Sequence, residues 1–196
     1  MTTQLRIALP KDNLETVVSL LEKARIPIPP HILNTRAYLL SSQAMEWIIV
    51  KQIDIPMLVE RGSADLGITA KHILWEQPKE LVELLDLGTD RVELFLFGES
   101  GMLSRPDLTI ATKYPRITSR YFQGKGKHVR TIPAILDSLN ASDAVVAADQ
   151  DYALSPGRTI VDTIAASTDR LIANRSSYCL KQRTIDDFCS CLQRAI

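Results

Sequence analysis

Short apolar runs separated by polar turns recur along the chain, and their periodicity predicts strands that alternate with helices. Apolar residues between Leu14 and Ala24 recur at helical spacing, so a helix follows the first strand. Asp12 is placed to cap this helix, with Glu15 in the capping-box position. The predicted strands are Leu5–Leu9, Arg36–Leu40, Met45–Lys51, Ala64–Ile68, Val82–Leu87, Val92–Phe97, Leu108–Ala111, His128–Ile132, Ala144–Ala147, Thr159–Ile164 and Leu171–Ala173.

Further helices are predicted from their start and stop residues. Gly62 is expected to end one helix because glycine readily takes a positive φ. Another helix is expected over Pro115–Phe122, and a short one over Ala134–Leu139. Thr184 with Asp187 predicts the start of a C-terminal helix. The alternation of strands and helices predicts an α/β fold of two lobes with largely parallel sheets.

The stretch from Asp54 to Leu74 carries the clearest candidate chemistry. Its pattern predicts a helix, a buried strand and a second helix, with Gly67 where the strand gives way to a loop. Thr69 is expected to cap the second helix, which carries Lys71 in its first turn. Ligands of open α/β sheets bind at the carboxyl ends of strands, beside helix N-termini. Free backbone N–H groups from Thr69 to Lys71, with the Lys71 ammonium, would therefore favour an anionic ligand.

Two other junctions between a strand and a helix also carry cations. Lys11 lies in the loop after the first strand, and Lys113 lies in the turn before a helix that presents Arg116 and Arg120 on one face. Cations around a helix N-terminus describe an anion site. For both junctions the alternative is an ordinary solvated basic surface. A cleft between the two lobes is expected to hold a polyanionic small molecule.

Composition narrows the class of protein. The 196 residues suffice for one domain or two small lobes, and 23 basic residues balance 23 acidic ones. Zero net charge argues against nucleic-acid binding or a polybasic membrane anchor. No apolar run approaches the roughly 18 residues of a membrane span, and a signal peptide is not expected. Cys179, Cys189 and Cys191 indicate free thiols in a cytoplasmic protein.

Four segments carry motifs that occur together in one known family. They are Ile7–Lys11, Asp54–Lys71, Ile110–Pro115 with Arg120–Phe122, and Arg170–Arg175. In order and spacing they resemble the short form of ATP phosphoribosyltransferase, the first enzyme of histidine biosynthesis. The motifs A-D-L-G-I-T and I-A-T-K-Y-P are fairly specific when they occur together.

This resemblance implies a fold, a reaction and partners. The fold is an α/β, two-lobed type II periplasmic-binding-protein-like fold with mostly parallel sheets, in which residues 1–92 and 168–196 form a discontinuous first lobe and residues 93–167 the second. In the reaction, N1 of ATP attacks the anomeric carbon of phosphoribosyl pyrophosphate, and Mg²⁺ assists the departure of pyrophosphate. We expect a homo-oligomer, a dimer, that assembles with a histidyl-tRNA-synthetase-like regulatory subunit in place of the long form's extra regulatory domain.

The resemblance also implies roles for individual residues. Lys11 is expected near the pyrophosphate or its metal, as the catalytic residue, and no side chain of the protein is expected to ligate a metal. Lys113 and Arg116 belong to the matching segment of the second lobe. The residues expected to bind substrate in these segments are Asp65, Thr69, Ala70, Lys71, Lys113 and Arg116.

The chain departs from the family pattern at three places. After Lys11 the family has Gly-Arg-Leu, whereas this chain has D-N-L at residues 12–14, so a glycine and a cation are lost. If Asp12 caps the first helix, it occupies N–H groups that could otherwise bind an anion. The family's Gly-Ser-Val-Glu segment has no counterpart in Pro133–Ala141.

The third departure is the loop that holds the ribose 5'-phosphate. An alignment with few gaps places Gln150–Ala153 there, beside Asp149 and Asp151. Like charges at 4 Å repel by about 4 kcal/mol at an effective dielectric near 20, so these carboxylates would oppose phosphate binding. A gapped alignment instead makes the phosphate-binding residues Ser155, Gly157, Arg158 and Thr159.

Two functions are compatible with this pattern. The first is an ATP phosphoribosyltransferase catalytic subunit in histidine biosynthesis, a glycosyltransferase with an unusual phosphate loop. The second is a catalytically impaired paralog that acts as a ligand-binding or regulatory subunit.

Overall fold

Two compact units make up the protein. The computed structural model describes residues 4–34, 37–42, 45–134, 141–148 and 158–196. The first unit comprises Met1–Asp90 and Thr168–Ile196, and the second comprises Arg91–Ser167. The chain therefore leaves the first unit once and returns to it, which makes that unit discontinuous. The exact boundary residues expected from the sequence stay a prediction.

A six-stranded sheet forms the centre of the first unit. Its strands are β1 Leu5–Pro10, β2 Leu39–Ser42, β3 Met45–Val50, β4 Leu66–Ala70, β5 Leu81–Asp86 and β11 Asp169–Asn174. The spatial order is β2-β3-β1-β4-β11-β5. Strands β3, β1 and β4 are parallel, whereas β2 and β11 run against their neighbours.

A five-stranded sheet forms the centre of the second unit. Its strands are β6 Val92–Gly98, β7 Leu108–Thr112, β8 Val129–Pro133, β9 Ala144–Ala148 and β10 Thr159–Ser167. The spatial order is β10-β6-β9-β7-β8. Strand β7 is parallel to β8 and β9, and β6 is antiparallel to β9 and β10.

Both sheets are therefore mixed, and the expectation of mostly parallel sheets is wrong. The physical reason is connectivity. Strands β10 and β11 bring the chain back from the second unit to the first. Strand β10 is antiparallel to β6, and β11 is antiparallel to β4 and β5. A short connection between β2 and β3 also forces an antiparallel pair. The two-lobed α/β architecture itself is confirmed.

The helices follow the strands as the apolar periodicity predicts. Gly62 follows the second helix with φ +71°, which confirms the predicted helix end. The helix predicted over Ala134–Leu139 lies outside the described residues from Ile135 onward. The α-helices of the described ranges are α1 Leu14–Lys23, α2 Ile55–Glu60, α3 Lys71–Glu76, α4 Pro115–Gly124 and α5 Arg175–Gln193.

Helix α5 begins well before the predicted start at Thr184. Asn174 is its N-cap, and its side-chain oxygen accepts a hydrogen bond from the Ser177 N–H at 2.9 Å. Lys181 interrupts the helix with φ −121° and ψ 22°. Its ammonium donates to a carboxylate oxygen of Asp65 at 2.8 Å, so the side chain at the kink points toward the interior of the first unit. The kink divides the apolar periodicity, so the sequence pattern predicted only the second half.

Alternate residues of the central strands pack against opposite layers, as the two-residue period of a strand requires. Ile7 and Leu9 of β1 belong to the larger core, which α1 and α5 cover. Ala8 faces the other way and packs in a smaller core with Ile55 and Val59 of α2. The first unit is therefore a sheet between two helical layers.

Gly67 lies inside β4, not at its end as predicted. A Cβ atom at this position would lie 2.5 Å from Ile55 Cγ2 and 2.8 Å from Val59 Cγ2. Helix α2 therefore packs directly on the backbone of β4, and a glycine is required by this close approach.

Replacing Gly67 with Ala should lower the free energy of unfolding by about 1–3 kcal/mol, because the added methyl group overlaps α2. Urea denaturation measures this change. Gly124→Ala is the matched control, since a Cβ there meets nothing within 4 Å, and it should change stability by less than about 0.5 kcal/mol. Equal stability of the two variants would show that α2 does not depend on the glycine.

Candidate functional site

The carboxyl ends of β1, β3 and β4 lie at one edge of the first sheet, because these strands are parallel. Lys11 follows β1 there with an exposed side chain. Its backbone N–H donates to the Val50 carbonyl at 2.7 Å. We call this edge the first-sheet edge and define it by residues 11–13, 51–52, 69–71, 89–90 and 169.

Gln52 joins the segment that follows β1 to the last residues of β4. The Thr69 hydroxyl donates to the Gln52 carbonyl at 3.2 Å, and the Gln52 N–H donates to an Asp12 carboxylate oxygen at 3.1 Å. Asp12 therefore does not cap α1, which begins after Asn13 without a side-chain cap. The predicted capping box is wrong because the Asp12 carboxylate binds a backbone group of a neighbouring segment.

Thr69 and Ala70 are buried strand residues, not the start of a helix. Both belong to β4, where they pair with Arg170 and Asp169 of β11. Helix α3 then begins without a side-chain cap. The predicted capping role of Thr69 is therefore wrong, because pairing with β11 extends the strand by two residues beyond the predicted end at Ile68.

Lys71 reaches the first-sheet edge, but its polar groups already have partners. Its backbone N–H donates to the Thr168 carbonyl at 3.0 Å, so the expectation of a free N–H group here is wrong. Its ammonium forms an ion pair with Glu83 and lies 5.9 Å from the centroid of the Trp75 ring. A phosphate at this position would have to replace Glu83.

A buried carboxylate, Asp169, also lies at the first-sheet edge, and sequence analysis missed it. One oxygen accepts hydrogen bonds from Asn13 Nδ2 at 2.9 Å and Thr89 Oγ1 at 3.2 Å, and the other accepts from Gln52 Nε2 at 3.0 Å. Burial, assisted by the charge of Asp90, raises the pKa of Asp169 to about 7 against these hydrogen bonds. The partners come from separate segments, so no local pattern could have found the cluster.

Asp65 lies at the opposite end of β4, away from the first-sheet edge. It is fully buried. Its carboxylate accepts hydrogen bonds from the Arg6 backbone N–H and Lys181 Nζ, both at 2.8 Å, and from Ser177 Oγ at 2.7 Å. It also forms an ion pair with the Arg6 guanidinium group at 3.3 Å. Burial alone would raise the pKa of Asp65, but these hydrogen bonds hold the pKa below its usual range. The structure thus gives Asp65 a structural role, and the expected contact with substrate stays a prediction.

A cavity of about 520 Å³ opens in the second unit, at the carboxyl ends of the parallel strands β7 and β8. This is where α/β sheets bind small molecules. Lys113 lines the cavity, and Arg116 follows in the first turn of α4; both side chains are exposed. The cavity is lined by Thr112, Lys113, Pro115, Thr131, Ile132, Pro133 and Ala134.

Two buried threonines fix the turn that carries Lys113. Thr112 Oγ1 accepts a hydrogen bond from the Tyr114 N–H at 2.9 Å. The Thr118 hydroxyl donates to the Tyr114 carbonyl at 2.7 Å and lies 3.3 Å from Thr112 Oγ1. The backbone position of Lys113 is therefore set by the fold.

The proposed phosphate loop is only partly described. Ser155 and Gly157 lie outside the described residues, so both alignments of this loop stay predictions. The guanidinium group of Arg158 donates to the Ser142 carbonyl at 2.7 Å. Thr159 begins β10, and its hydroxyl donates to the Gly98 carbonyl at 3.3 Å. These two residues therefore hold the point where the chain enters β10.

In the described ranges, no group of three or more His, Cys, Asp or Glu side chains is placed to hold a metal ion. In the same ranges no helix has both the length and the apolar character needed to cross a membrane. All three cysteines are free. Burial lowers the pKa of His72 to about 4.

Solved structures with the same architecture define the class of this protein. The periplasmic aliphatic sulphonate binding protein SsuA from Escherichia coli matches with a TM-score of 0.58 and 14% identity, over 98% of this chain and 72% of that one, and shows the fold alone. A structure described as the ATP phosphoribosyl transferase (HisG:HisZ) complex from Thermotoga maritima matches with a TM-score of 0.79 and 25% identity, over 98% of both chains. The class is that of two-lobed, periplasmic-binding-protein-like α/β proteins.

Sequence comparison then places the chain within that class. The family profile described as HisG, ATP phosphoribosyltransferase, matches residues 51–137. ATP phosphoribosyltransferase 2 of Geobacter sulfurreducens is 35% identical over the whole of both chains, and ATP phosphoribosyltransferase of Geobacillus sp. (strain WCH70) is 32% identical over 98% of both. The chain belongs to the ATP phosphoribosyltransferase family. The resemblance drawn from the motifs is confirmed, and with it the expected enzyme class, a glycosyltransferase of histidine biosynthesis.

Replacing Asp65 with Asn should lower the free energy of unfolding at pH 7 by about 3 kcal/mol, because Lys181 and Arg6 lose their buried counterion. The pKa of Asp65 is lower in the folded than in the unfolded protein. Its stabilising contribution is therefore complete above about pH 4 and is lost as the pH falls further. Urea denaturation across this range should show the difference between wild type and variant shrinking in acid. Asp187→Asn, an exposed change on α5, is the control; an equal loss in both variants would contradict the assigned role.

Replacing Lys113 with Ala should weaken the binding of ATP or pyrophosphate by about 1–3 kcal/mol, as for a charge-assisted hydrogen bond. Isothermal titration calorimetry at low salt measures the affinity. Lys125→Ala removes the same charge from the same unit, where Lys125 forms a 2.7 Å ion pair with Asp162 and lies 4.6 Å from the centroid of the Tyr121 ring, and it should leave the affinity unchanged. If Lys113→Ala also leaves it unchanged, Lys113 is only a surface charge.

Proposed function

We propose that this chain is the catalytic subunit of a short-form ATP phosphoribosyltransferase. N1 of ATP attacks the anomeric carbon of phosphoribosyl pyrophosphate, the bond from that carbon to the pyrophosphate oxygen breaks, and pyrophosphate departs with the electron pair. The observation that carries the proposal is the 35% identity over the whole length of a relative named for this activity. The reaction needs no nucleophilic side chain, so the work of the protein is to orient two substrates and to stabilise the departing charge.

Lys11 is proposed to stabilise the departing pyrophosphate. It is exposed at the carboxyl end of β1, while its backbone is held by the Val50 carbonyl. An ammonium group placed where negative charge develops lowers the barrier to the leaving-group step. Lys51, exposed at the end of the neighbouring strand β3, adds a second cation at the first-sheet edge.

Lys71 is proposed to bind a substrate phosphate by giving up its ion pair with Glu83. The side chains of Lys71 and Glu83 are 23% and 38% exposed, so their ion pair is open to solvent and a multiply charged phosphate can compete for the ammonium. Thr69 and Ala70 support this role as the strand residues that set the position of Lys71.

The second unit is proposed to bind further phosphate groups. Lys113 and Arg116 are exposed beside the cavity at the start of α4. Arg158 and Thr159 anchor the end of the proposed 5'-phosphate loop, for which we retain the alignment that includes Ser155 and Gly157. That alignment supplies a hydroxyl group, a glycine and a cation in place of two carboxylates.

Mg²⁺ is proposed to arrive with phosphoribosyl pyrophosphate, bound mainly by phosphate oxygens and water. The first-sheet edge fits such a complex, because Asp12 provides an exposed carboxylate beside Lys11. A carboxylate oxygen is the ligand type that Mg²⁺ prefers in proteins. When bound, the metal would neutralise part of the pyrophosphate charge.

An assembly is also proposed. The matched Thermotoga maritima structure is a HisG:HisZ complex. We therefore expect this chain to form a dimer and to bind a HisZ-like, histidyl-tRNA-synthetase-like regulatory subunit. The free cysteines agree with a cytoplasmic location.

Replacing Lys11 with Ala should lower kcat/KM for phosphoribosyl pyrophosphate by roughly 10²-fold, because the transition state loses a charge partner. The assay measures phosphoribosyl-ATP formed from ATP, phosphoribosyl pyrophosphate and Mg²⁺, with and without a HisZ-like subunit. Lys23→Ala removes an exposed lysine from the last turn of α1 and should leave kcat/KM unchanged.

The product assay and calorimetry of the wild-type protein distinguish the two functions. Absence of product under both conditions would contradict the catalytic proposal. Calorimetry that shows ATP binding without phosphoribosyl pyrophosphate binding would then support the alternative, a catalytically impaired paralog with a ligand-binding or regulatory role.

A further inference from the structure

A hydrogen-bond network lies next to both points where the chain passes between the units. Asp90 is the last residue of the first unit before the chain leaves it, and Thr168 is the first after the chain returns. The Asp169 N–H donates to the Thr89 carbonyl at 2.9 Å, and the Asp169 carbonyl accepts from the Leu87 N–H at 2.9 Å. The departing and returning segments are therefore bonded to each other at Asp169.

Asn13 connects this junction to the segment that carries Lys11. Its side-chain Nδ2 lies 2.9 Å from an oxygen of Asp90 and 2.9 Å from an oxygen of Asp169. Gln52 makes a second connection, because Nε2 donates to Asp169 and the backbone N–H donates to Asp12. Residues 11–13 are therefore joined to Asp169 through two separate routes.

Asp169 is fully buried, and the donors that contact its carboxylate are neutral groups. The nearby charge that acts on it is that of Asp90, which shares the Asn13 donor. The ammonium of Lys71 and the guanidinium of Arg170 are paired with Glu83. The titratable and charged groups on the elements around Asp169 are Lys11, Asp12, Lys51, Lys71, Glu83, Asp86, Asp90 and Arg170.

The hydrogen-bond network around Asp169 can form with its carboxyl group either ionised or protonated. When Asp169 is ionised, its two oxygens accept all three side-chain hydrogen bonds. When it is protonated, the new O–H needs an acceptor, and the Thr89 hydroxyl can rotate from donor to acceptor. The hydrogen bonds of the ionised state are charge-assisted and therefore stronger than those of the neutral acid, so the ionised state holds Asn13 and Gln52 more firmly. Burial raises the pKa of Asp169 to about 7, so Asp169 changes between the two states near pH 7.

We propose that Asp169 is a positioning residue for the transferase reaction, which through Asn13 and Gln52 holds the Lys11 segment at the first-sheet edge. The inference rests on the proposed role of Lys11. It assigns Asp169 no contact with substrate. The charge of Asp169 then controls how well Lys11 is placed, and the affinity for phosphoribosyl pyrophosphate follows that charge.

Asp169→Ala should raise KM for phosphoribosyl pyrophosphate by roughly 10- to 100-fold, since displacement of a binding group by about 1 Å has effects of that size. Asn13→Ala breaks the same connection from the other side, leaves the buried carboxylate in place, and should give the same direction of change. Asp162→Ala is the control. It removes a carboxylate of the second unit that also accepts side-chain hydrogen bonds, and it should leave KM unchanged.

Asp169→Asn tests the role of the charge. It keeps the shape of the side chain, and Gln52 can turn its amide oxygen toward the new amide nitrogen. In the wild-type protein KM for phosphoribosyl pyrophosphate should rise as the pH falls through about 7, beyond the change due to the substrate's own titration. The ratio of wild-type to variant KM should therefore depend on pH. A ratio that is constant between about pH 6 and pH 8 would overturn the charge dependence.

A double-mutant cycle separates positioning from a general structural effect. If Asp169 acts through Lys11, adding Asp169→Ala to Lys11→Ala should cause no further loss in kcat/KM. Fully additive losses would overturn the proposal.

Hydrogen exchange distinguishes this inference from the proposed function, because it needs no activity. The backbone amides of residues 11–14 should exchange faster in Asp169→Ala and Asn13→Ala than in the wild-type or Asp162→Ala proteins. Unchanged exchange in Asn13→Ala would overturn the positioning role even if the enzyme is active. Faster exchange in a protein without transferase activity would overturn the proposed function and keep the structural connection.

Discussion

The antiparallel pairing of β11 with β4 is the constraint on which the first unit depends. It joins the C-terminal part of the chain to a sheet formed by the N-terminal part, in a register that sets Asp169 opposite Ala70. At the other end of the same pair, the Asn174 N–H donates to the Asp65 carbonyl at 2.9 Å. A slip of one residue would turn every side chain of β11 toward the opposite helical layer. The core and the first-sheet edge are therefore fixed by the same set of backbone hydrogen bonds.

The two ends of this strand pair each bury an aspartate, and the two behave in opposite ways. Asp65 has the charged donors Lys181 and Arg6, which outweigh burial and hold its pKa below the usual range. Asp169 has neutral donors and a neighbouring carboxylate, so burial prevails and the pKa rises to about 7. Ionised Asp65 therefore stabilises the fold at neutral pH. The folded state keeps the proton of Asp169 up to about pH 7, whereas an unfolded aspartate releases it near pH 4, so ionising Asp169 costs stability. A cost of this kind beside a proposed ligand-binding edge is typical of functional positions.

Sequence patterns correctly predicted the features that depend on residues close together in the chain. Gly62 ends its helix as expected, and the motif I-A-T-K-Y-P gave both the strand β7 and the start of α4. Predictions failed where a distant partner decides the outcome. Thr69 looks like a helix cap, but pairing with β11 makes it a strand residue; Asp12 looks like a cap, but it binds the Gln52 N–H. Lys181 looks like an ordinary surface lysine, yet it reaches Asp65 across 116 positions of sequence. No periodicity within a window of the chain contains that information.

The same limitation applies to the charge of the candidate site. A lysine after a strand predicts an anion site, but the ligand it can bind depends on the carboxylates around it. Lys11 and Lys51 share the first-sheet edge with Asp12, Asp90 and Asp169. Those carboxylates repel a bare polyphosphate, since like charges interact strongly where solvent is partly excluded. A polyphosphate that carries a divalent cation meets less repulsion, and an exposed carboxylate can then act as a ligand or a charge partner of the metal. The mixed charge of this edge therefore agrees with the proposal that pyrophosphate arrives there as a magnesium complex.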